Sequence, residues 1–316
     1  MKKHPLEPLI QQYLAEKDIT QGTYDLFKII LDQYVTYLRE QNIDFPNTSD
    51  IIAFLEWKKS EGCSLRWTNH QIGILKNFYR YLTLNQERLG LTEAYAFDIM
   101  QPIKREILNH NEFKPTLSTE QAKQLLLFCK ERRQTRSQYR DYAIVYLMLT
   151  TGVRSIEVRR AKRKDLKQVK QQLVLYIQGK GKTAADAYVK IPEGLEQAIN
   201  DYLILRQDNN PFLFTGHSRN HPTPYLSRSF VIKMFKQLMK DAGLEETQVT
   251  AHGLRHTAAT INLRRGGSLE STRQLLRHTH VSTTMIYAHH VTQMMDEPEN
   301  EIECLILNDM TPKKEV

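Results

Sequence analysis

Tyr287 and His278 stand nine positions apart in the stretch Leu275-Leu276-Arg277-His278-Thr279-His280-Val281-Ser282-Thr283-Thr284-Met285-Ile286-Tyr287, where a tyrosine hydroxyl could do covalent chemistry. A phenol is a weak nucleophile that reacts only with a strongly polarised electrophile. Taken alone, a tyrosine in a helical pattern is ordinarily a packed core residue with its hydroxyl hydrogen-bonded nearby. The nucleophile reading therefore needs anion-binding side chains elsewhere in the chain, and two stretches supply them. Thr151-Gly152-Val153-Arg154-Ser155-Ile156-Glu157 sets an arginine at the start of a turn with a glutamate three residues on, so that the two meet on one helical face. In isolation that is an ordinary ion pair. His252-Gly253-Leu254-Arg255-His256 sets His252 and Arg255 at a spacing of three, again on one face. Two arginines and a histidine converging on one spot would clamp a phosphate. The same histidines, four apart, with His278, His280, His289 and His290 downstream, also admit a zinc site. No carboxylate lies between the pair, and an adjacent arginine would repel a cation, so no metal is expected.

Positioning these residues requires a frame. Tyr24, Phe27, Ile30, Leu31, Tyr34 and Leu38 recur at helical spacing from Thr20 onward. After Asp44-Phe45-Pro46-Asn47, Thr48 or Ser49 can cap a second helix carrying Ile51, Ile52, Phe54, Leu55 and Trp57, which Gly62 ends. A third begins near Ser64 and runs through Trp67, Ile72, Leu75, Phe78, Tyr79 and Leu82. Its Arg66, Lys76 and Arg80 either line a DNA backbone or form a solvated face. Residues 101–117 hold two prolines and few apolar anchors, as inter-domain linkers do, and we divide the chain into residues 1–110 and 111–316.

The second part opens at Ser118, where Gln121 completes a capping box. A strongly apolar helix, Tyr139 to Leu149, stops at Thr150-Thr151-Gly152, which leaves Arg154 just past a buried helix end. Leu173 to Ile177 and Ala187 to Ile191 are β-rich runs joined by the Gly179-Lys180-Gly181-Lys182 loop, read as a hairpin. Helices follow at Leu195 to Arg206, at Phe230 to Ala242 and from about Thr250.

Lys+Arg 44 against Asp+Glu 36 gives a net charge of +8 over 316 residues, which favours nucleic acid over membrane as partner. No apolar run approaches a membrane span and Met1 to Glu7 lacks a signal-peptide core, so a cytoplasmic protein is expected. Cys63, Cys129 and Cys304, scattered and odd in number, are read as reduced packing residues.

Thr-Gly-X-Arg with Glu three later, Gly-Lys-Gly in a hairpin, His-X-X-Arg-His, and a histidine and tyrosine nine apart, in that order, resemble the tyrosine recombinases and phage integrases. The resemblance spans the chain, since the N-terminal bundle with Phe78-Tyr79-Arg80-Tyr81-Leu82 is similar to the core-binding domain of Xer-type members. It implies a mainly α fold: a SAM-like N-terminal helical bundle plus a C-terminal mixed α/β catalytic domain with a small antiparallel sheet. It further implies that Tyr287 attacks a DNA phosphate to form a 3′-phosphotyrosyl link. Arg154 and Arg255 would hold the non-bridging oxygens, and Lys180 would protonate the leaving 5′-oxygen. His252 would assist proton transfer, His278 would donate to a phosphate oxygen, and Glu157 would orient its neighbours. No metal or nucleotide cofactor is then needed.

The implied partners are a double-stranded DNA recombination site, gripped as by a clamp, and a homo-tetramer on two such sites, with accessory proteins possible and no membrane. The segment after Val291 would dock on a neighbouring protomer. Two departures stand out. The family usually has glycine where this chain has Arg277, a change that shifts the turn or adds a phosphate contact. The hairpin loop is also longer than in Xer proteins, so Lys182 competes with Lys180, which the Gly-Lys-Gly match favours. A monomeric nicking-closing enzyme and a catalytically silent DNA-binding regulator are the rivals. The regulator would leave Arg154, Lys180, His252, Arg255, His278 and Tyr287 unexplained.

Overall fold

The computed structural model describes residues 3–107, 115–179, 185, 187–217 and 225–287. The chain divides into two compact units, Met1–Glu112 and Phe113–Val316. The architecture is the expected one, mainly helical with one small antiparallel sheet in the second unit. Among the described residues no helix is long and apolar enough to cross a membrane.

The first unit is built from α1 (Leu6–Ala15), α2 (Gln21–Glu40), α3 (Thr48–Ser60) and α4 (Leu65–Leu84). Helices α2 and α4 turn the apolar stripes read from the sequence inward, with Ile30, Leu31, Leu38, Leu75, Phe78 and Leu82 fully buried. Each such side chain contributes roughly 1.5–3 kcal/mol. The sequence reading did not include α1. Pro5 and Pro8 usually mark a loop, yet both lie at its first turn, where no intrahelical N–H is required. The cap of α3 is Asn47 rather than Thr48 or Ser49. Its side chain accepts from the Ser49 and Asp50 amides at 2.8 and 3.3 Å, and the Asp50 carboxylate accepts from the Asn47 amide at 2.8 Å. The Tyr34 and Tyr79 hydroxyls satisfy each other at 2.9 Å inside the bundle. On the outside of α4, Arg66, Asn69, His70, Asn77 and Arg105 line an open groove. Asn69 clips the following segment to the helix by bonding both backbone groups of Glu106, at 2.8 and 2.9 Å.

The second unit is organised around α6 (Arg136–Thr151). This helix packs against α5 (Thr119–Glu131), α8 (Glu193–Arg206) and α10 (Ala251–Arg264). Its second half is apolar nearly all round and mostly covered, with Tyr142 to Val145, Leu147 and Met148 all buried. The capping box of Ser118 and Gln121 starts α5 as read from the sequence. After α6 come α7 (Ser155–Arg160) and a sheet of β1 (Leu166–Val169), β2 (Gln172–Ile177) and β3 (Ala187–Lys190). The strands are antiparallel in the order β1-β2-β3, with Val174 opposite Lys190 and Tyr176 opposite Tyr188. α9 (Arg228–Asp241) and α11 (Leu269–Leu276) complete the unit.

Candidate active site

Because α6 is buried, its C-terminal end lies deep inside the second unit. Gly152 ends it at φ +59°, and a Cβ there would lie 2.9 Å from a Leu276 methyl, so both the backbone conformation and the contact with α11 call for glycine. Two residues on, Arg154 is the N-cap of α7. Glu157 accepts from the Arg154 amide at 2.7 Å and from its guanidinium at 2.9 Å. Glu157 is 1% exposed, so this is a buried capping pair rather than a surface ion pair.

Helix α10 brings the second arginine to the same place. Arg255, 1% exposed, donates to the Gly152 carbonyl at 2.5 Å and to the Leu276 carbonyl. It thereby ties the end of α6 to the end of α11 while keeping further N–H donors. Its pKa is pushed down to about 9, first by burial and then by the charges of Arg154 and Arg277, so it stays charged at neutral pH under positive crowding. The last described residue before the hairpin loop, Gly179, is tied to α7, whose Arg160 donates to its carbonyl at 3.2 Å. Lys180 and Lys182 lie outside the described residues.

Among the described residues the contacts of Arg277 are with the interior of the second unit. It takes φ +54°, the left-handed conformation in which glycine is preferred, and closes α11 with bonds from its amide to Gln274 and from the His278 amide to Arg273, both 3.0 Å. Its guanidinium turns inward to Glu157 at 3.0 Å and to the carbonyls of Leu275, Thr151 and Gly152 at 2.7, 3.2 and 3.4 Å. Substituting glycine would relieve roughly 1–2 kcal/mol of backbone strain. It would also remove the cation that faces a buried carboxylate, and that loss is expected to outweigh the gain. R277G is therefore expected to unfold at lower urea concentration than the wild type, and an equal or higher midpoint would show that the inward contacts contribute little.

His278, 8% exposed, shares a 2.9 Å hydrogen bond with the Thr284 hydroxyl through Nδ1. Its pKa is pushed down to about 4, by burial first and then by Arg255, Arg154 and Arg277. The folded protein therefore holds it neutral, whereas unfolded it titrates near the ordinary 6.5. Between those values the unfolded chain binds more protons, so stability present above about pH 6.5 drains away as the pH falls toward 4. His217, bonded to the Tyr202 hydroxyl at 3.0 Å and pushed down to about 4 by burial, acts in the same direction. The urea midpoint is expected to drop between pH 7 and pH 5, and to drop less in H278N.

Residues 282–287 are helical and deliver Tyr287 half-buried. Burial raises its pKa, while Arg255 and Arg154 pull it back. Its hydroxyl is hydrogen-bonded to Nδ1 of His256, with the two rings 5.2 Å apart, and its ring stacks on His278 at 6.2 Å. His252 is exposed and meets His256 edge-on at 4.8 Å. It is near enough to His278 that its charge disfavours protonation there. Arg154, Glu157, His252, Arg255, His278 and Tyr287 are thus gathered around one spot. Two members of the cluster have no role in the sequence reading. The sequence offers His256 only as a metal ligand paired with His252, and it gives Thr284 no role of its own. Among the described residues no three His, Cys, Asp or Glu side chains are arranged to hold a metal.

Comparison with known proteins gives this arrangement its family. Residues 115–294 match the phage integrase family, and residues 8–86 match its N-terminal SAM-like domain. The chain belongs to the phage integrase family. This integrase-family chain is 31% identical over 296 residues to the tyrosine recombinase XerA of Pyrococcus furiosus, covering 92% of this chain and 91% of that one. It is 26% identical to XerD of Listeria monocytogenes, over 90% of this chain and 93% of the relative. Like them it is a tyrosine recombinase, an enzyme of DNA recombination. Its fold is shared with the XerH site-specific recombinase bound to its palindromic difH substrate, at a TM-score of 0.68 and 21% identity over 89% of this chain and 80% of that one. It is shared too with a lambda integrase dimer bound to a COC′ core site, at a TM-score of 0.64 and 15% identity over 88% and 96%.

Proposed function

We propose that this chain is a site-specific recombinase that cuts and rejoins duplex DNA through a 3′-phosphotyrosyl intermediate, four copies acting on two sites. The observation that carries the reading is the Tyr287 hydroxyl held by a histidine within the field of Arg255 and Arg154. Around it the guanidiniums of Arg154 and Arg277 share the Glu157 carboxylate, and Arg255 is depressed by burial first and then by those two cations. A scissile phosphodiester would supply the missing negative charge, and relief of that crowding favours the anion. Supporting DNA as partner are the structures of XerH and lambda integrase, which share this fold, bound to their sites.

In the proposed reaction the Tyr287 oxygen bonds to phosphorus as the bond to the 5′-oxygen breaks. Lys180 gives that oxygen its proton, a role assigned over Lys182 on the Gly-Lys-Gly match alone. Arg154 and Arg255 hold the non-bridging oxygens, where forked N–H geometry suits a phosphoryl group. His278, accepting from Thr284 at Nδ1, donates to a phosphate oxygen from Nε2. His252 assists proton transfer, and Glu157 fixes the guanidiniums of Arg154 and Arg277. The phosphotyrosine conserves the bond for attack by a second strand's 5′-hydroxyl. The basic groove of Arg66, His70 and Arg105 follows the DNA backbone, so affinity should fall steeply with salt. Residues 297–316 lie outside the described residues; the reading assigns them to contact with a neighbouring protomer, and their removal should dissolve synaptic tetramers in a native gel.

The test is to incubate the protein with a nicked suicide duplex from its own genetic neighbourhood and look for a protein–DNA adduct that survives denaturant. Its digestion should leave the nucleotide on the peptide containing Tyr287. Binding without any adduct favours a silent regulator, and relaxation of supercoils by a monomer favours a nicking-closing enzyme.

A further inference from the structure

We infer that His256 is a catalytic residue of strand cleavage, the group that receives the Tyr287 proton. The inference rests on Tyr287 being the nucleophile and adds the acceptor that the nucleophile requires. Burial holds the phenol protonated at neutral pH, so its proton must leave as the bond to phosphorus forms. Among the described residues, the side chain in hydrogen-bond contact with that hydroxyl is His256, through Nδ1. Its ring is 6% exposed on the inner side of α10, next to Arg255, so packing fixes its direction. The other groups nearby are less suited. Arg255 and Arg154 are cations with no acceptor atom. The Nδ1 of His278 is engaged with Thr284. His252 is exposed and edge-on to His256 at 4.8 Å, so it assists from the solvent side.

In the step so described the phenolic O–H breaks and its proton passes to Nδ1. The oxygen–phosphorus bond forms, the phosphorus–5′-oxygen bond breaks, and the leaving oxygen takes its proton from Lys180. The imidazolium that results is offset by the phosphate now in the site. Religation runs the same transfers backwards, with His256 returning the proton to Tyr287.

The test compares wild type, H256N, H252N and Y287F in single-turnover adduct formation on the nicked suicide duplex. Asparagine sets an amide oxygen close to the position of Nδ1, which keeps a hydrogen bond to the phenol but cannot take its proton. H256N is expected to bind DNA and unfold like the wild type while forming adduct about 100-fold more slowly, the scale of a lost general base. H252N should lose less. H256N reacting at the wild-type rate overturns the assignment, as does a larger loss in H252N than in H256N. If H256N unfolds below the assay temperature, H256Q, another amide without a basic nitrogen, is read the same way. Absence of adduct from the wild type would instead remove Tyr287 as nucleophile, a failure distinct from that of His256.

Discussion

Tyr287→Phe is expected to abolish the denaturant-resistant DNA adduct while leaving binding and fold in place. The substitution removes one oxygen and keeps the ring that stacks on His278 and lies tilted against His256. Its stability cost is that of one hydrogen bond in a half-buried setting, about 1 kcal/mol, measurable as a small shift in thermal unfolding. Its chemical cost is complete, because no other hydroxyl of the described site is held against His256 within the field of both arginines. Thr284 is the nearest alternative by sequence, and its hydroxyl is committed to His278. The measurement is a denaturing gel on labelled suicide duplex, with a gel shift at low salt as the binding control. Adduct persisting in Y287F would mean that the cluster serves some nucleophile other than Tyr287.

Arg255→Lys carries the second large effect. Lysine keeps the positive charge, so any loss measures what the planar fork does. Arg255 spans from the Gly152 carbonyl to the Leu276 carbonyl and retains donors for a phosphate. An ammonium cannot bridge those two carbonyls and present two parallel donors to a phosphoryl group as well. Strand cleavage is expected to slow by roughly 100–1,000-fold, the scale of losing a preorganised oxyanion donor. A lower unfolding midpoint should accompany it, since one buried carbonyl loses its partner. DNA affinity, dominated by backbone contacts elsewhere, should change far less than the cleavage rate. Equal losses in binding and cleavage would assign Arg255 to ground-state binding instead.

Much of this site is readable along the chain, and the readable parts are local. Glycine after Thr151 predicts a helix end because few other residues take a left-handed conformation cheaply, and Gly152 does take it. The spacing of Arg154 and Glu157 places them on one turn, and the structure closes that turn with the Glu157 carboxylate accepting from the Arg154 amide and guanidinium. Ser64, Ser118 and Thr250 each cap the helix that the pattern begins after them. The apolar run from Tyr139 to Leu149 signals a mostly covered helix. These features depend on interactions within about a turn, which sequence spacing encodes directly.

Other features depend on what faces what across long separations, and periodicity is silent there. Helix periodicity shows that Arg255 shares a face with apolar neighbours, but not that Gly152 and Leu276 offer it their carbonyls. His256 differs from His252 by four positions, one turn of α10, yet only packing makes one buried and the other exposed. Arg277 looks like a surface cation available to DNA. Its inward turn follows from Glu157, a residue 120 positions earlier, lying buried within reach and needing a second cation. The sequence by itself therefore determined the helical frame and the family and named a tyrosine and two arginines as candidates, because short-range spacing and residue chemistry carry that information. Only the tertiary structure decided which histidine holds the tyrosine and where Arg277 points, because those choices belong to side chains that meet only after α6, α10 and α11 have packed together.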